Sequence, residues 1–174
     1  MLSRMTKRFP FPNPVNETSA RIVAAGVVAI STLFLLTNST LVLIALTYGF
    51  AARVAAGPTF SPLATVATRV ITPRLNLNHK FVPGPPKRFA QTIGLTFAAT
   101  ALALTLLGFS SAAQLVITAL IAAAFLESAF AICLGCIAFS FLMKLGVIPE
   151  SVCESCNDIS LVSATKNPQT ASRA

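Results

Sequence analysis

Tryptophan is missing from this chain, tyrosine and histidine occur once each, and only five residues are acidic. Each shortage closes a class of function. One histidine, His79, leaves no plausible Ser-His-Asp set and no H-E-x-x-H metal helix, and no glycine-rich run is spaced to cradle a phosphate. His79 reads as a solvated loop side chain rather than a ligand. Charged residues make up 10% of the chain and apolar residues 55%, against about 25% and about 45–50% in a soluble domain. With a mean hydropathy of +0.77, the composition is that of an integral membrane protein in a lipid bilayer. The net charge of +8 does not argue for a nucleic-acid partner, because the basic residues cluster at the edges of apolar runs. With no Trp and one Tyr the usual interfacial aromatic belt is nearly absent, and 13 Phe fill helix faces instead.

What the chain does have is a set of apolar runs. Residues 1–18 read as a tail, with a helix starting at Asn16 to Ser19. Arg21 to Leu36 forms the first expected span and Leu41 to Ala56 the second, joined by the uncharged turn Thr37-Asn38-Ser39-Thr40. Each is slightly short of the ~20 residues a bilayer core needs. The first is expected to be a retained span rather than a cleaved signal, because a second span follows at once and no clear small-residue cleavage site precedes it. Ser61-Pro62 then starts a helix in which Leu63, Val66, Ala67, Val70 and Ile71 share an apolar face, expected to lie on the membrane surface or the bundle until Pro73 stops it. Residues 74–87 read as a polar, proline-rich connector. Arg88 opens the third span, which runs to Leu107, and the fourth starts near Leu115 and reaches the region of Cys133.

The basic residues orient these spans. Arg4, Lys7, Arg8 and Arg21 precede the first, and Arg53, Arg69, Arg74, Lys80, Lys87 and Arg88 lie in or beside the middle segment, while both hairpin turns carry no charge. The positive-inside rule puts both termini and the middle segment in the cytosol of a cell with an inner membrane. The halves also resemble each other: the segment ending at Arg21 matches the one ending at Arg88, Leu35-Leu36 matches Leu106-Leu107, and Val70-Ile71-Thr72-Pro73 matches Val147-Ile148-Pro149. The expected fold is therefore an all-α membrane protein of four transmembrane helices, arranged as two parallel hairpin repeats, each followed by a short cytosolic-surface helix. Its segments are the tail 1–18, a first repeat 19–73, the connector 74–87, a second repeat 88–149 and a cytosolic tail 150–174.

All four cysteines lie in or after the second repeat, as Cys133-Leu134-Gly135-Cys136 and Cys153-Glu154-Ser155-Cys156. The first pair falls where the first repeat has Ala55-Ala56-Gly57-Pro58, so the thiols are an addition to one copy. Facing the reducing side, they are not expected to form a stable structural disulfide. Thiols two residues apart can exchange electrons or sulfur, or the spacing C-x2-C-x16-C-x2-C can hold one zinc through Cys133, Cys136, Cys153 and Cys156. A third reading makes Cys133 and Cys136 small packing residues of a membrane helix.

Glu127 is the only acid inside a span, and its partner is expected to be Arg53 or Arg88, unless it is protonated and bonded to a neighbouring helix. On a regular helix it would point about 240° away from Cys133 and about 180° from Cys136, out of reach of both thiols.

Three stretches carry a family resemblance: the Pro-rich segment ending Arg88-Phe89-Ala90-Gln91, Phe130 to Cys136, and Ile148-Pro149-Glu150-Ser151-Val152-Cys153. From about Asn13 to Asp158 the chain resembles the bacterial membrane family DUF4395, a domain of unknown function. The resemblance implies a small helical inner-membrane protein with no established activity. Some members stand near thioredoxin-like or rhodanese-like domains, which by association implies a soluble thiol or sulfur-transfer partner.

Overall fold

The computed structural model describes residues 14–57, 60–74 and 81–148. The chain is mostly helical. A two-residue strand, β1 (Val15–Asn16), leads into α1 (Glu17–Thr37) and α2 (Thr40–Ala56). A short segment follows, with α3 (Pro62–Val66), a π-helical turn (Ala67–Ile71) and α4 (Thr72–Arg74). Strand β2 (Phe81–Val82) precedes α5 (Gly84–Leu106), α6 (Ser110–Phe130) and α7 (Leu134–Lys144). The sites Cys153, Cys156 and His79 lie outside the described residues.

Local chemistry sets these boundaries. Asn16 caps α1 as the sequence suggests, its Oδ1 accepting the amides of Thr18 at 2.9 Å and Ser19 at 3.5 Å. Asn38 ends the helix in the left-handed region at φ 51°. Helix α5 starts at Gly84, four residues before the expected Arg88, because Pro85 and Pro86 fit its first turn, where an amide has no intrahelical partner. The proline-rich segment is thus partly helix rather than all connector, and Lys87 enters the bundle.

Three helices, α1, α5 and α6, are long and apolar enough to cross a membrane; α2 and α7 are shorter apolar helices. Their outer faces carry exposed Leu33, Ile44, Tyr48, Leu115 and Phe125, the apolar exterior a bilayer requires. Helix α1 packs chiefly on α6, α2 on α5, and α5 on both α6 and α7. Small residues let the backbones approach: Ala98, Ala101 and Ala113 are fully buried among Phe34, Leu43 and Ile117. Two contacts fix the direction of the hairpins. Antiparallel pairing of Val15 with Val82 joins the starts of α1 and α5. At the far end Gln114 Nε2 donates to Asn38 Oδ1 at 2.7 Å, joining the two turns.

The segment after α2 departs from the regular helix expected there. Leu63 and Ala67 of the expected apolar face pack inward, with Ala64 and Thr72 buried beside them, whereas Val66, Val70 and Ile71 of that face are exposed. The π turn adds a residue to one turn and rotates everything after it. Thr72 is thereby brought inward, donating to the Ala67 carbonyl at 2.7 Å and accepting from the Ser19 hydroxyl at 2.9 Å. The wider turn also accommodates Pro73, so the helix runs on to Arg74 instead of stopping.

Candidate functional site

The site forms where α6 ends. Ala131 takes the left-handed conformation at φ 58°, its amide donating to the Glu127 carbonyl at 3.1 Å, and the chain turns out of the helix. Cys133 then caps α7, its Sγ accepting the Cys136 amide at 3.2 Å. The two Cα atoms are 5.2 Å apart, inside the span of a disulfide, and the sulfurs lie at disulfide distance. The bend begins at Ala131, ahead of Gly135, so the thiols are on a helix N-terminus and not within a continuous span.

Packing holds this turn in place. Gly135 meets α5 so closely that a Cβ built on it would fall 2.5 Å from the Ala90 Cα. Buried Phe139 stacks edge-to-face on Phe89, with ring centroids 5.6 Å apart. Both contacts press α7 against α5.

Two clefts meet at the cysteines. One of about 760 Å³ runs between α1, α5 and α6, with Ser19, Arg53, Lys87, Gln91, Glu127 and Cys133 in its wall. The other, about 710 Å³, is lined by Glu17, Lys87, Cys133, Cys136, Ser140 and Lys144 among others. Cys133 is 8% exposed and borders both, whereas Cys136 is half-buried and borders only the second.

Glu127 therefore faces the same cleft as Cys133, contrary to the regular-helix expectation, because the helix breaks between them. Its partner is also different from those expected. Lys87 Nζ donates to Glu127 Oε1 at 2.6 Å, and neither Arg53 nor Arg88 makes that ion pair. Arg88 Nε instead donates to the Val54 carbonyl at 3.1 Å. Arg53 is 2% exposed, close enough to Glu127 to feel its charge, with Nη1 3.3 Å from Ser61 Oγ and the guanidinium 4.4 Å from the Phe50 ring centroid. Sequence reasoning used Lys87 for orientation only, offered Arg53 both for orientation and as a partner of Glu127, and named Gln91 only within the family motif. The Pro-Pro pair as a helix start was the available signal for Lys87.

Among the described residues no group of three or more His, Cys, Asp or Glu side chains could hold a metal. The second cysteine pair, which a four-thiolate zinc site would need, lies outside those residues. The family model described as "Domain of unknown function (DUF4395)" matches residues 15–144, and the chain belongs to that family. No curated protein and no solved structure matches the chain.

Proposed function

We propose that this DUF4395 protein is an inner-membrane thiol–disulfide carrier whose Cys133–Cys136 couple exchanges an electron pair with a soluble thioredoxin-like dithiol. The observation that carries this is Cys133 at the N-cap of α7, its sulfur accepting the Cys136 amide and lying at disulfide distance from the Cys136 sulfur. A helix N-terminus offers unpaired amides and a positive dipole end, which stabilise a thiolate.

The difference in exposure supports a division of roles. A partner thiolate attacks Cys136 Sγ, the more accessible sulfur; the Cys133–Cys136 bond breaks and Cys133 leaves as a thiolate held by the Cys136 amide. The partner's second thiol, as thiolate, attacks its own sulfur in the mixed disulfide and releases Cys136. Two electrons and two protons have passed to the pair, and the partner has become a disulfide; the reverse sequence oxidises the pair. In a reducing cytosol the disulfide is then a working intermediate and not a cross-link.

This reading includes four spans, two parallel hairpin repeats and cytosolic ends. Helix α2 has 17 residues, about 26 Å, and lies along α5, which supports it as a short fourth span. The repeat is supported by reciprocal packing, α1 on α6 and α2 on α5, and by matched arginines. Arg21 donates to the carbonyls of Ser128 and Ala129 at 3.0 Å each, as Arg88 does to that of Val54.

The test uses inside-out membrane vesicles, reduced thioredoxin and thiol mass-tagging. Wild type should shift from oxidised to reduced. With Cys136 first activated as an aryl mixed disulfide, Cys133→Ser should couple through Cys136 to a thioredoxin that lacks its resolving cysteine and release the aryl thiol, and Cys136→Ser, activated alike at Cys133, should couple far more slowly. A couple indifferent to thioredoxin, or coupling through Cys133 alone, would remove the proposal.

A further inference from the structure

The larger cleft holds a buried charge that the cysteine chemistry leaves unused. Glu127 is bonded to Lys87, so Arg53 has no ion-pair partner of its own among the described residues. Its Nη1 reaches only the neutral Ser61 hydroxyl, and its Nε has no hydrogen-bond partner. Gln91 Oε1, in the same wall, is likewise buried without a partner. The guanidinium, 2% exposed, has the Phe50 ring and the longer-range charge of Glu127 beside it but no anion in contact among the described residues, and burial without one is costly.

The walls say what else the ligand needs. Moving inward, α1 passes from Ser19 to Val27, α5 from Lys87 and Gln91 to Phe97, and α6 from Glu127 to Leu120. Three helices thus carry the same polar-to-apolar gradient, over about 10–15 Å at 1.5 Å per residue. A volume of about 760 Å³ is in the range of small-molecule sites and suits one chain rather than a two-chain phospholipid.

We infer that this cleft binds a single-chain anionic amphiphile of the long-chain carboxylate type, its head on Arg53 and Gln91 and its chain along Val27, Phe97 and Leu120. A carboxylate accepts the guanidinium's donors, and of the Gln91 amide only Nε2 can donate to it, since Oε1 is itself an acceptor. The inference is independent of the thiol chemistry.

The experiment places the full chain in phosphatidylcholine nanodiscs and measures equilibrium binding of radiolabelled laurate, dodecanol and acetate against empty discs. Laurate should bind saturably, dodecanol about tenfold or more weakly, and acetate without saturation. Arg53→Gln should weaken laurate about tenfold or more, Arg53→Lys should restore most of it, and Val23→Trp, which fills the cleft from α1, should block it. Should Arg53→Gln fail to fold, the acid–alcohol comparison in wild type and Val23→Trp still decide the matter. Laurate partitioning equally into empty discs, dodecanol matching laurate, acetate matching laurate, or a folded Arg53→Gln binding as wild type would each overturn the inference.

Discussion

Lys87 and Glu127 meet at 2.6 Å across α5 and α6, with 9% and 22% of their side chains exposed. Removing one partner leaves the other charge buried and unpaired. Lys87→Met or Glu127→Leu is expected to lower stability by about 3 kcal/mol, and the double variant to regain most of the loss. Denaturation of the purified protein in mixed micelles measures this. Additive losses in the double variant would mean the two side chains are not coupled.

Gly135 is where α7 comes closest to α5. Gly135→Val sets two methyls against the Ala90 backbone and should cost about 1–3 kcal/mol. It should also make Cys133 faster to alkylate in the reduced protein, by lifting the turn that buries it. Unchanged stability and labelling would show that α7 is not held by this contact.

Ala131 pays the penalty of a left-handed conformation, φ 58°, with a Cβ. Ala131→Gly should stabilise the protein by about 1 kcal/mol and leave thiol exchange intact, whereas Ala131→Val should destabilise it. Thermal denaturation of the three forms side by side gives the order. Val above Ala would contradict the turn.

The thiol reading predicts protein that is free of zinc after purification under reducing conditions, for wild type and Cys153→Ser alike. Elemental analysis settles this. Stoichiometric zinc in wild type, lost in Cys153→Ser, would replace the free dithiol by a structural metal site.

Orientation rests on charge placement, and a reporter fused after Ala174 tests it. A cytosol-dependent reporter should be active and a periplasm-dependent one silent. The opposite pattern would put the cysteines on the oxidising side and reverse the redox argument.

Composition and apolar runs by themselves determined a mostly helical chain with helices long and apolar enough to cross a membrane, because 55% apolar residues with so few charges leave long uninterrupted apolar stretches. The start of α1 at Asn16, the uncharged turns and the two-thiol motif were equally local and equally legible. The register after α2 was not. One widened turn at Ala67–Ile71 left Val70 and Ile71 exposed and turned Thr72 inward, and periodicity assumes no such turn. The site lay still further from view. Lys87 finds Glu127 forty residues away only because α5 begins in its prolines and α6 stops at Ala131. That same stop brings Cys133 to the cleft that Glu127 faces. Spacing along a chain sets what two residues could share on one helix; where the helix ends, and what packs across the break, is decided by tertiary contacts such as Gly135 on Ala90 and Phe139 on Phe89.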